Sequence, residues 1–104
     1  MINELKLKEL CERITEDTQR RLKETNLDCQ TNLVNAIAHY HIANKYTRVD
    51  IGDSGKYMIV NETGEIYGIK AYGVIHKGHF YGTINTINDY DWGLYTAIAI
   101  KKGI

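Results

Sequence analysis

Between residues 2 and 25, Leu7, Leu10, Cys11, Ile14, Thr18 and Leu22 recur every three or four positions. That spacing lines one face of an α-helix. Opposite charges elsewhere in the stretch fall four residues apart in the favourable order, as Glu4–Lys8, Glu9–Arg13, Glu16–Arg20 and Asp17–Arg21, which marks a solvated face. Thr25-Asn26 is a plausible stop, since asparagine tolerates the left-handed position after a helix. The spacing then predicts a second helix from Asp28 or Thr31 to Asn44, with Leu33, Ala36, Ile37, Tyr40 and Ala43 as its buried stripe, and Val34 and Ala38 beside it. Two helices joined by so short a link form an antiparallel hairpin, expected over residues 1–45.

From Tyr46 the period changes to two. Thr47, Val49 and Ile51 alternate with Tyr46, Arg48 and Asp50, and KYMIVN at 56–61 follows after the Gly-Asp-Ser-Gly turn at 52–55. Asn61-Glu62-Thr63-Gly64 fits a hairpin turn. A long third strand is expected from Glu65 to Ile75, a turn at His76-Lys77-Gly78-His79, and a fourth strand from Phe80 to Ile87. Residues 88–93 read as a loop, and 94–100 as a fifth strand or a short helix. The expected fold is therefore α+β, with the helical hairpin packed on one face of a four- to five-stranded antiparallel meander spanning 46–100.

A chain of 104 residues with 43% hydrophobic and 25% charged residues fits one globular domain. Its 13 basic and 13 acidic residues balance, so it lacks the positive excess of a protein held to phosphate backbones by charge alone. No apolar run approaches the roughly 20 residues of a membrane-spanning helix, so no membrane partner is expected. With no export signal in the N-terminal residues, the expected compartment is the cytosol, and Cys11 and Cys29 are expected as free thiols. A homodimer is left open.

Candidate chemistry gathers between Glu65 and Trp92, a stretch with four of the eight tyrosines, the only tryptophan, the only phenylalanine and two of the four histidines. Glycines inside strands mark bends, bulges or close approach by a neighbour. Tyr67-Gly68, Tyr72-Gly73 and Tyr81-Gly82 therefore have two readings: tyrosines covering bare backbone on adjacent strands, or a curled sheet offering tyrosines and Lys70 as a binding face. The candidate binding residues are Lys70, Tyr72, His76, Lys77, His79 and Tyr81, joined by Tyr90 and Trp92 of the acidic-aromatic loop. His76, Lys77, His79 and Tyr81 are also residue types that serve as acid, base and phosphate clamp in small metal-independent ribonucleases.

No metal or cofactor is expected. His39 and His41 lie about 200° apart on the predicted helix, and the cysteines lack a C-x-x-C spacing. The chain has no P-loop, no G-x-G-x-x-G and no G-x-S-x-G. These missing motifs point away from nucleotide-dependent enzymes and hydrolases, and towards a binding protein.

The run Gly55-Lys56-Tyr57-Met58, with Thr63-Gly64-Glu65-Ile66-Tyr67-Gly68-Ile69-Lys70-Ala71-Tyr72-Gly73-Val74 and Tyr81-Gly82-Thr83, resembles small uncharacterised accessory proteins of bacteriophages and mobile elements over residues 46–95. The resemblance carries no site residues. It implies, in the manner of anti-CRISPR proteins, a non-enzymatic protein that binds and inhibits a host protein or protein–nucleic-acid complex such as a defence nuclease. The alternative partner is nucleic acid, with bases stacked on Tyr67, Tyr72 or Tyr81 and phosphates held by Lys70 and Lys77.

Overall fold

The computed structural model describes residues 2–71, 74–93 and 97–100. The long first helix, α1 (Glu4–Glu24), starts at Asn3, whose side chain accepts the Leu5 and Lys6 amides at 3.0 and 3.4 Å. It stops at Thr25 and at Asn26, which takes a positive φ of 59°. A six-residue helix, α2 (Gln30–Asn35), follows. Five antiparallel strands come next, β1 (Ala38–Ile42), β2 (Tyr46–Ile51), β3 (Ser54–Val60), β4 (Glu65–Ala71) and β5 (Val74–Thr83), paired in chain order. A 3-10 turn at Ile87–Asp89 leads to a two-stranded pair, β6 (Tyr90–Asp91) with β7 (Ile98–Ala99).

The fold is α+β, with a five-stranded antiparallel sheet and one long N-terminal helix. The hairpin expected over 1–45 is corrected: its second helix stops at Asn35, and residues 38–42 form the first edge of the sheet. The run AHYHI satisfies both periods, and pairing decides between them. As a strand, Ala38 and Tyr40 share a face with Val49 and Ile51 of β2, and the otherwise open edge of β2 gains a partner. His39 and His41 consequently point to one side of a strand rather than to opposite sides of a helix.

The expected turn at 76–79 is also corrected. β4 and β5 pair from Ala71↔Val74, and 76–79 lies within β5. Gly68 faces His76 while Tyr67 faces Phe80, so Lys77, Gly78 and His79 form a bulge with no opposite residue on β4. Of the segment expected as a fifth strand or helix, residues 98–99 are strand, and 94–96 lie outside the described residues.

α1 buries Leu7, Leu10, Cys11 and Ile14 against the sheet face carrying Val49, Tyr57, Ile59, Ile66 and Tyr81, with Trp92 in the same cluster. Asp17, which sequence placed on the solvated face with Arg21, is buried. It accepts hydrogen bonds from Arg13 at 3.2 Å, Arg20 at 3.0 Å and the Trp92 amide at 3.0 Å. Arg13 reaches Asn88 and Arg20 reaches Asp91, so the helix grips the 88–92 loop through charge-assisted bonds. No helix among the described residues is long and apolar enough to cross a membrane.

Both cysteines are free, and they differ in environment. Burial pushes the Cys11 thiol up to about 12, whereas Cys29 is exposed. Because thiolate is the reactive form, a thiol reagent is expected to label Cys29 in the native protein and both residues only after denaturation. The same shift has a sign for stability. The folded state holds the Cys11 proton more tightly, so its contribution is complete below the ordinary 9.0 and is lost as pH rises towards about 12. Rapid labelling of both thiols in native protein would contradict the packing described.

Candidate functional site

The residues singled out from sequence fall into three environments. Trp92 is 1% exposed and Tyr81 8%. Their rings pack edge-on against Tyr57, each with a centroid separation of 5.3 Å, forming an aromatic cluster beneath the sheet. Tyr90 is half-buried beside Trp92 at 5.7 Å and lies over Gly82. These positions use most of their area in packing. Trp92 has no free surface with which to meet a partner.

The bulge on β5 holds the second group. His76 and His79 stack with centroids 4.2 Å apart and planes within 18°. Parallel rings aim their in-plane nitrogens side by side, which suits neither joint chelation of one ion nor attack on a substrate from two sides. Among the described residues no group of three metal-ligating side chains occurs. Nδ1 of His76 is enclosed without a hydrogen-bond partner among the described residues. Gly68 is the floor beneath: a Cβ there would come within 3.1 Å of the His79 Cβ and 3.5 Å of the Tyr81 ring. Covering of strand glycine by an aromatic neighbour is thus seen at Gly68, and it fixes where the bulge folds down. Lys77 and Lys70 stay exposed, and Tyr72 lies outside the described residues.

Beside the bulge, Lys56, Tyr57, Gly68, His79 and Tyr81 line a cavity of about 220 Å³. Desolvation lowers the Lys56 ammonium below the usual lysine range, and burial raises Tyr57 well above the usual phenol range. The Ala97 backbone favours the charged form of the Tyr57 oxygen without closing a hydrogen bond of ordinary geometry. The cavity is smaller than the roughly 300–1,000 Å³ that takes a drug-sized ligand. It is a recess in the core wall, not a substrate cleft.

The third environment is one the sequence reading missed. α1 covers one face of the sheet. On the other face, Tyr46, Arg48, Met58, Tyr67 and Phe80 share a side through the pairs Tyr46↔Val60, Arg48↔Met58, Met58↔Tyr67 and Tyr67↔Phe80. Phe80 is 51% exposed, and its ring tilts against Tyr67 at 5.4 Å. Met58, 5% exposed, fills the centre between its cross-strand neighbours. Arg48 Nε donates to both oxygens of Asp50 at 2.9 and 3.2 Å, and the Tyr67 hydroxyl donates to Glu65 at 3.2 Å. Lys45 sits over the Tyr46 ring, 5.5 Å from its centroid, at the rim. The result is an aromatic patch seated on the buried Met58, in which Arg48 and Asp50 neutralise each other. The alternation of Tyr46, Arg48 and Asp50 was visible in sequence; that no element among the described residues covers their side was not.

The chain matches no protein-family model, no curated protein and no solved structure.

Proposed function

We propose that this chain is a non-enzymatic binding protein that presents the uncovered sheet face to a protein partner. The observation that carries the reading is Phe80, half-exposed and braced by Tyr67 on a strand scaffold. Aromatic residues, Met and Arg are the types enriched in the buried centres of protein interfaces, and a rigid ring loses little entropy when it docks. Charge favours protein over nucleic acid. Phosphates call for available cations, whereas Arg48 is held by Asp50 and Glu65 stands beside Tyr67. The narrower reading, inhibition of a host complex such as a defence nuclease by a phage or mobile-element protein, rests on the sequence resemblance alone.

Capture from a bacterial lysate on immobilised protein, with identification by mass spectrometry, tests both levels. Phe80→Ala and Tyr67→Ala are expected to abolish the specific protein catch, since truncating a central anchor costs about 2 kcal/mol or more of binding. Phe80→Ala is expected to leave folding stability within about 1 kcal/mol, because half the side chain is already wet. If the variants retained the same protein catch, or if the only specific catch were nucleic acid released by salt, the reading would fail.

A further inference from the structure

We propose that the groove between α1 and the free edge of β1 takes an extended peptide of alternating apolar and basic residues as a sixth strand. The inference concerns a different surface from the sheet face and does not depend on it. Among the described residues β1 is an edge strand, paired only with β2. Along that pair the Ala43 amide donates to the Tyr46 carbonyl and the Gly52 amide to the Ile37 carbonyl, both at 3.0 Å. Odd-numbered residues therefore turn their backbone groups towards β2, while Ala38, Tyr40 and Ile42 turn theirs outward. The Ala38 amide is taken by the Thr15 hydroxyl at 2.9 Å. The outward groups of Tyr40 and Ile42 have no partner among the described residues. At roughly 3.4 Å per residue, the strand offers about 17 Å of edge, and Thr15 closes one end of it and so sets where an added strand begins.

α1 runs beside this edge and leaves a groove of about 710 Å³. Its floor is Cys11, Ile37 and Ala38, and its helical wall carries Lys8, Glu12 and Glu16, two carboxylates to one ammonium. An edge strand next to a helix is the setting in which added strands gain main-chain hydrogen bonds while alternate side chains enter a groove. Charge names the occupant. Sequence spacing pairs Glu9 with Arg13 and Glu16 with Arg20, yet Arg13 turns to Asp17 and Asn88, and Arg20 to Asp17, Glu24 and Asp91. The buried Asp17 thus draws both cations to the far side. Glu12 and Glu16, one turn apart, form no ion pair among the described residues, and like charges at that spacing repel. Lysine or arginine at the alternate positions that face α1 would relieve that repulsion, and the apolar residues between them would point to the opposite side of the added strand.

The probe is a capped octapeptide of alternating valine and lysine, titrated into the isotope-labelled full chain and followed by amide shifts and hydrogen exchange. The expected result is shifts confined to β1 and the facing turns of α1, with slowed exchange at the Tyr40 and Ile42 amides. Glu12→Gln with Glu16→Gln, both at exposed positions, should weaken binding about tenfold or more. A valine–glutamate peptide should not bind, and replacing alternate residues by proline, which removes the donors, should abolish binding. Phe80→Ala should leave this binding unchanged, which separates its failure from that of the sheet-face reading. Absence of binding, shifts centred on Tyr67 and Phe80, or unchanged exchange at Tyr40 and Ile42 in the bound state would each overturn the proposal.

Discussion

Trp92→Ala is expected to destabilise the protein by about 3–5 kcal/mol, the cost of removing a large aromatic side chain from a packed core. Trp92 is 1% exposed, meets Tyr57 edge-on at 5.3 Å and Tyr90 at 5.7 Å, and donates its indole N–H to the Ile87 carbonyl at 3.0 Å. Alanine would open a cavity among three elements and orphan that carbonyl. Against a total stability of roughly 5–15 kcal/mol for a domain of this kind, the loss is about a fifth or more. Trp92 is the only tryptophan, so the unfolding midpoint in urea should be followed by circular dichroism. Trp92→Phe should recover part of the loss by restoring ring contacts without the indole donor. A Trp92→Ala midpoint indistinguishable from that of the parent protein would show that the 87–92 segment is not part of the core.

Asp17→Ala is expected to cost about 2–3 kcal/mol, the range for hydrogen bonds to a charged group, plus the penalty of a buried amide left unpaired. Its carboxylate joins Arg13, Arg20 and the Trp92 amide. The two arginines are partly exposed and regain water when it is removed, which holds the cost below that of stranding a buried charge. The Trp92 amide cannot regain water. Gly93 makes the joint close: a Cβ there would overlap the Asp17 backbone, coming within 2.8 Å of its carbonyl carbon. Asp17 meets Trp92 at its backbone amide, which Trp92→Ala keeps, so the cycle that reads the joint pairs Asp17→Ala with Arg20→Ala, whose losses should fall short of additivity by about 1 kcal/mol. Additive losses would show that Arg20 does not act through Asp17.

The joint at Asp17 shows where reading along the chain runs out. Its i,i+4 relation to Arg21 is real in sequence, yet a partner 75 positions away, the Trp92 amide, decides its environment. Charge spacing describes an isolated helix, and a loop closing over the helix overrides it. The same diversion of Arg20 leaves Glu16, beside the β1 groove, without the cation that spacing assigns it. A feature proposed as functional therefore follows from a packing event that local spacing cannot register.

Candidate residues at 76–81 were legible as chemistry but not as geometry. His76-Lys77-Gly78-His79 has turn composition, but it lies within β5, with His76 paired and 77–79 a bulge, because the strands already pair from Ala71↔Val74. The tyrosines divided by sheet face: Tyr81 went inside and Tyr67 outside, a distinction set by which face α1 covers. Phe80 gained its prominence only through pairing with Tyr67.

Sequence alone determined the elements whose periodicity is strong and local. These are α1 with its Asn26 stop, the β2 alternation, the β3 strand, the turn at 61–64, and hence an α+β fold with an antiparallel meander. Only tertiary structure decided the rest: that Ala38–Ile42 is a strand, that 77–79 is a bulge, that Asp17 is buried, and which sheet face stays open. Each of these choices is made by a partner distant in sequence. Side-chain period is a property of one element, while burial and pairing belong to two.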